Sequence, residues 1–186
     1  MPFLILLLFV GIGCKMDAPQ VIQDLGNHST ELINQHDEKV VFTEDFHGQP
    51  FVISYIFTSC NNVCPAITAN MKEISERVDP NSPVHFVLLS FDPKRDTPEQ
   101  LRAYRQEFEL DEERFTLLTG DSTTVYNLLD TVGIRAEVMP GADMSGNYMF
   151  NHSNEIQLYD AQGRMRGEYG GTMTDPEIII EDLMRL

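Results

Sequence analysis

Apolar residues along this chain fall into two kinds of pattern, solid runs and stripes at helical spacing. Residues 51–57 (FVISYIF) are almost wholly apolar and β-prone, as expected of a strand buried on both faces, and residues 84–90 (VHFVLLS) repeat the pattern. Between the two runs, Ile67, Met71, Ile74 and Val78 recur on one helical face. That helix is expected from about Cys64, with Pro65 in its first turn, where a missing N–H costs nothing, and Asp79-Pro80-Asn81 to stop it. Strand, helix and strand in such close succession make a βαβ unit with parallel strands.

The remaining pattern is shorter and more mixed. Residues 40–42 predict a brief strand and residues 47–50 a turn. Thr97 can cap a helix, Pro98 fits its first position, and Gln100 completes a capping box, with Leu101, Tyr104 and Phe108 on the buried face. Residues 115–119 predict a third strand, and residues 125–132 a helix closed by Gly133. Residues 134–151 show no clear period and hold Pro140, Gly141 and Gly146, so they read as a long loop. Two strands, 155–159 and 164–169, flank Asp160-Ala161-Gln162-Gly163, a hairpin signal. Asp175-Pro176 opens a last helix with Ile178, Ile179, Leu183 and Leu186 toward the core. The order predicts an α/β domain: a central mixed sheet, helices on both faces, then a C-terminal β-hairpin plus helix. The small architecture with βαβ followed by ββα is the thioredoxin-like fold, and the middle helix–strand–helix is an addition to it.

Composition changes this picture at the N-terminus. Residues 3–10 (FLILLLFV) are too short to span a membrane but have the length of a signal-peptide core, and they run into Gly11-Ile12-Gly13-Cys14. This resembles the lipobox of bacterial lipoproteins, where cleavage precedes a lipid-bearing Cys. No Lys or Arg precedes the core here, and Gly11 stands where a larger aliphatic residue is usual. The expectation is a signal peptide at 1–13, a polar tether at 14–33 and one domain at 34–186, exported and anchored through Cys14 on the periplasmic or outer side of a membrane. The 186 residues carry 13 basic and 29 acidic side chains, a net charge of −16. Such a field repels phosphate backbones, so nucleic acid is not an expected partner.

Chemistry concentrates at the junction after the first apolar run. Cys60 and Cys64 are the only domain cysteines, and they straddle the step from a buried strand to a helix N-terminus, where unpaired N–H groups and the helix dipole favour a thiolate. A structural disulfide across four residues would close almost no loop and stabilise little. The segment YIFTSCNNVCPAITANM resembles the C-x-x-x-C-P segment of the SCO/SenC family, exported copper proteins that assist cytochrome c oxidase assembly. SFDPKRDTPEQLRAY resembles that family's D-P-x-R-D-T block, and NHSNEIQLYDAQGRM its block with a His before a strand and turn. The resemblance implies a thioredoxin-like fold and copper held by Cys60, Cys64 and His152. Two thiolates and an imidazole are a soft, low-coordination set suited to Cu(I), with Cu(II) a second oxidation state to consider.

Where thiol oxidoreductases of this fold place a cis-proline, the chain reads Asn151-His152-Ser153. Asp92 is a candidate acceptor near the site, since it follows a parallel strand's C-terminal end; Asp92, Arg95 and Asp96 also suit loop building and capping. Met139, Met144 and Met149 precede His152 and are candidate soft ligands. His28, His36, His47 and His85 fall at no motif position. The leading expectation is a copper metallochaperone that serves the copper-receiving subunit of a respiratory oxidase, with a thiol reductant as a second partner. The alternatives are a thiol-disulfide reductase working through Cys60 and Cys64 as a redox-active pair, and a copper or redox sensor. The metallochaperone and reductase readings both use Cys60 and Cys64, but of the two only the metallochaperone requires His152.

Overall fold

The computed structural model describes residues 17–139 and 148–186. In chain order the elements are β1 (Gln23–Asp24), β2 (Thr30–Asn34), β3 (Lys39–Phe42), a 3-10 turn (Glu44–Phe46), β4 (Phe51–Ile56), α1 (Val63–Arg77), β5 (His85–Ser90), α2 (Pro98–Glu107), β6 (Phe115–Thr119) and α3 (Ser122–Thr131). They continue as β7 (Ala136–Val138), β8 (Phe150–His152), β9 (Glu155–Tyr159), β10 (Arg164–Gly170) and α4 (Pro176–Leu183). Eight strands form one sheet in the order β1-β10-β9-β4-β5-β6-β2-β3, parallel at β4–β5–β6 and antiparallel elsewhere.

The apolar run predicted as a doubly buried strand is β4, near the sheet's middle, and all six of its residues are buried. Its neighbour β5 is buried at five of six positions. On one face, α1 packs against α4, and Thr68 and Tyr104 share a 2.7 Å hydrogen bond that joins α1 to α2. Gln157 points to the other face, where its amide donates to the carbonyl of Val132 at the end of α3. Phe42, Phe46, Phe51 and Tyr159 fill that face, with Phe51 and Tyr159 stacked at 4.6 Å. The architecture is the expected mixed sheet with a thioredoxin-like core.

Local signals account for most element ends. The hydroxyl of Thr97 accepts from Gln100 N–H at 3.4 Å, with Pro98 at the first helical position. Only half of the capping box forms, because Thr97 N–H is taken by the Arg95 carbonyl. Gly133 adopts φ +78°; its N–H bonds to Asp130 O and that of Ile134 to Leu129 O, a Schellman ending that a Cβ would strain. Asp160 Oδ1 gathers the N–H groups of Gln162 and Arg164 and so shapes the β9–β10 turn.

Four expectations are corrected. Residues 23–33, part of the stretch read as tether, supply β1 and most of β2, and β2 lies between β6 and β3. The structural reason is alternation: in TELIN, Leu32 and Asn34 point inward while Glu31 faces water. The sequence boundary of α3 was too late by three residues, since Asp121 caps it through Thr123 and Thr124 N–H. Residues 134–151 are not all loop, because β7 and β8 pair as a separate two-stranded ribbon. On α4, Ile179, Ile180 and Leu183 are buried, whereas Ile178 and Leu186 are exposed. The residues expected as a signal peptide, and Cys14, lie outside the described residues.

Candidate metal centre

Three elements converge at the C-terminal end of β4. The strand runs out at Ile56, and the chain crosses a short loop through Cys60 into α1, with Cys64 in its first turn. Asn62 occupies the cap position but makes no side-chain cap. The sulfur of Cys60 takes that role, accepting the N–H of Cys64 at 3.4 Å. A helix's first N–H groups lack intrahelical partners and carry the positive end of its dipole, so they favour an anion there. The third element is β8, whose last residue is His152. One ligand atom each from Cys60, Cys64 and His152 lies within 4.8 Å of the others. Both cysteines are free thiols, buried, while His152 is half-buried and forms the accessible side.

The two sulfurs differ sharply in proton affinity. The hydrogen bond from Cys64 pulls the Cys60 thiol well below the ordinary range; burial opposes this, and His152 and the N–H groups of Asn62 and Cys64 add to it. The same bond, with burial behind it, pushes Cys64 far above the thiol range. Cys60 is therefore the sulfur favoured to carry a negative charge, and Cys64 the one favoured to keep its proton. His152 is raised: burial works against its cation, but hydrogen bonding to Cys60 and to Ser153 O outweighs it. Its Nδ1 lies 2.6 Å from the carbonyl of Ser153, which can only accept, so Nδ1 carries a proton and Nε2 is left to face the sulfur or a metal.

Rings hold the imidazole in place. Phe57 lies edge-on at 5.9 Å and Phe91 at 4.7 Å, and Phe150 packs on both at 5.3 and 5.1 Å. Below the loop, buried Asp96 accepts from Thr58 N–H at 2.9 Å, Thr58 hydroxyl at 2.6 Å and Ser90 hydroxyl. It thereby ties the start of the cysteine loop to the end of β5. Burial raises the Asp96 carboxyl, and the bonds from Ser90 and Thr58 partly offset that.

Asp92 is buried too. It accepts from Tyr148 OH at 2.6 Å and pairs with Arg95, whose guanidinium lies 3.8 Å over the Tyr148 ring. Met139 N–H bonds to Met149 O, one step beyond the Val138–Phe150 pair. Strand alternation puts both methionines on the exposed face with Glu137 and Asn151, opposite Phe150 and His152. Met144 lies outside the described residues. The other histidines stand elsewhere: His28 bonds to Thr30, His85 to Thr116, and His36 pairs with Glu112.

Sequence reasoning missed Tyr148, the three phenylalanines around His152, and Asp96 as the brace of the loop. One signal for the first was present: Tyr148, Phe150 and His152 alternate with Met149 and Asn151, the period of a strand.

The SCO1/SenC family model matches residues 17–186 of the chain. An SCO2-like protein of Rickettsia typhi is 33% identical over 135 residues, which is 72% of this chain and 64% of that protein's length. The crystal structure of a SCO1/SenC family lipoprotein from Bacillus anthracis is 30% identical with a TM-score of 0.75, over 91% of this chain and 98% of that one. The structure of Bradyrhizobium japonicum ScoI with copper bound is 25% identical with a TM-score of 0.66, over 84% and 96%. Among the described residues no helix is long and apolar enough to cross a membrane.

Proposed function

The chain belongs to the SCO1/SenC family, and from that premise and the geometry of its site we propose that it is a copper-binding metallochaperone. It takes Cu(I) between Cys60, Cys64 and His152 and passes it to the copper-receiving subunit of a respiratory oxidase. The observation that carries the reading is the convergence of two thiols and one imidazole within 4.8 Å at a half-buried opening. The donor set fits the ion: sulfur and imidazole nitrogen are soft ligands, and a buried site with few donors suits a metal that prefers low coordination. Copper would supply the positive charge that the shared proton now provides. Binding displaces the Cys64 proton, and the Nε2 proton whenever His152 is cationic, so affinity rises with pH.

The reading extends to location. Cys14 is proposed as a lipid-bearing N-terminus that holds the domain at the outer face of a membrane. The Gly-Ile-Gly-Cys junction supports this, as does the similar Bacillus anthracis protein, which is a lipoprotein. Mass spectrometry of membrane-extracted protein should find a diacylglyceryl group on Cys14; a soluble protein with an intact N-terminus would remove this part of the reading.

A second reading, a thiol-disulfide reductase for exported copper-site cysteines, is favoured by one feature, the thiolate of Cys60 bonded to the adjacent thiol of Cys64. The two separate at His152. Cu(I) titration of the reduced protein should show one ion bound, weaker in His152→Ala and nearly abolished in Cys64→Ser. In cells at limiting copper, His152→Ala should impair the oxidase if copper delivery is the role. A fully active oxidase in that strain, with failure only in cysteine mutants, would transfer the role to the thiol reading.

A further inference from the structure

His152 rides on a ribbon that shares no ladder with the main sheet, and a lone pair of strands is marginally stable at best in water. Something outside the ribbon must set where the imidazole stands. At the His152 end it is Phe150, seated between Phe57 and Phe91. At the other end it is Tyr148, whose hydroxyl donates to Asp92 Oδ1 at 2.6 Å while Arg95 covers its ring. Asp92 is 1% exposed, so this is a buried acceptor and a fixed point.

The contact continues into the sulfur side of the site. Asp92 N–H donates to Ser90 Oγ at 3.0 Å, Ser90 Oγ donates to Asp96, and Asp96 receives both donors of Thr58, two residues before Cys60. A path of hydrogen bonds, Tyr148–Asp92–Ser90–Asp96–Thr58, which passes from side chain to backbone within Asp92, thus joins the ribbon that carries the nitrogen donor to the loop that carries the sulfurs. We propose that Tyr148 is a positioning residue of the metal centre, which through Asp92 holds the ribbon in register so that His152 stays over Cys60 and Cys64. The proposal rests on the copper-binding reading above and assigns Tyr148 no contact with the metal.

A double-mutant cycle tests it, with Cu(I) affinity of the reduced full chain measured by competition against a chromophoric chelator. Tyr148→Phe keeps the ring over Arg95 and removes only the hydroxyl. It should weaken Cu(I) binding by about 10–100-fold, the usual cost of losing a partner that orients a ligand, and X-ray absorption should show the nitrogen scatterer weakened. In a His152→Ala background the same change should alter affinity by no more than about twofold, because its effect passes through the histidine. Wild-type affinity in Tyr148→Phe, or losses that multiply in the double mutant, would overturn the proposal. Amide exchange of the metal-free protein separates this from failure of the copper reading. Met139 and Ser153 N–H, both bonded across the ribbon at 2.8 Å, should exchange faster in Tyr148→Phe while the β4–β5 ladder is unchanged. If wild type binds no Cu(I), the copper reading falls alone, and unchanged ribbon exchange would then dismiss Tyr148 as well.

Discussion

Cys60 and Cys64 are the same residue type four positions apart, yet the fold lowers the proton affinity of one and raises that of the other. The difference is geometric: Cys60 receives hydrogen bonds from the helix start, from His152 and from Cys64, whereas Cys64 is fully enclosed and gives its own. The reduced metal-free protein should therefore show the ultraviolet absorption of one thiolate, not two, at neutral pH, and Cys60→Ser should remove that band. Two thiolates, or none, would mean that the shared proton is misassigned. At this scale the sequence was informative about type and spacing. The pair and His152 were legible as a soft donor set, but nothing in the string of letters said which sulfur would be charged, because that depends on partners from β8 and the α1 backbone. Asp92 was legible as an acceptor beside the strand end, but not the donor it receives from, Tyr148, distant by 56 positions.

Among elements, the cysteine loop is the one with least structure of its own and most support from elsewhere. Asp96 satisfies three donors of the flanking strand ends at 0% exposure. Replacing it with Ala strands those donors, each worth about 1–3 kcal/mol when buried without a partner. Asp96→Ala should lower the unfolding free energy by about 3 kcal/mol in denaturant titration and weaken Cu(I) binding as well. A loss below about 0.5 kcal/mol, the range of an ordinary surface change, would show that the loop is held by other means. Phe150→Ala should act differently. It empties a site buried against two rings, typically a cost of about 3–5 kcal/mol, and it frees the ribbon; Cu(I) binding by Phe150→Leu, which keeps the volume closer, should be stronger than by Phe150→Ala. Helices and buried strands were legible here because their patterns extend over many residues. The ribbon was not, since three-residue strands carry too few alternations to stand out among Pro and Gly.

At the scale of the whole molecule the N-terminal segment is structural. Arg166 donates to the Pro19 carbonyl at 2.7 Å, Ile22 N–H bonds to Met165 O, and β2 joins β6 to β3. A chain starting at Asp17 should keep the thermal midpoint of the longer protein, while one starting at Asn34 loses β1 and β2 and should fail to fold cooperatively. Equal midpoints for both would restore residues 17–33 to the role of tether. Acid stability follows from Asp160. Burial disfavours its charge, but bonds from the Arg164 and Gln162 backbone and the Arg166 and Arg164 side chains bring its pKa below the ordinary value. A carboxylate depressed in the fold stabilises fully above its unfolded pKa of about 3.9 and loses that contribution as pH falls through the lower folded value. Wild type should therefore lose thermal midpoint faster than Asp160→Asn below about pH 4; parallel curves would assign the acid sensitivity to other groups.

Only the resemblance of its block to a known family pointed to His152; residue pattern by itself determined the kinds of element, the doubly buried central strand, the parallel βαβ unit, the caps of α2 and α4 and the Cys60–Cys64 spacing. These are local or short-range properties: a period, a cap, a turn or a residue type is read within a few positions. Tertiary structure alone decided which strands were neighbours, that residues 23–34 complete the sheet, that Met139 and Met149 face away from His152, and that Tyr148 reaches Asp92. Each of these depends on contacts between positions far apart in the chain. Their partners are selected by which buried donors and apolar faces remain unsatisfied once the sheet has closed, and no local pattern records that choice.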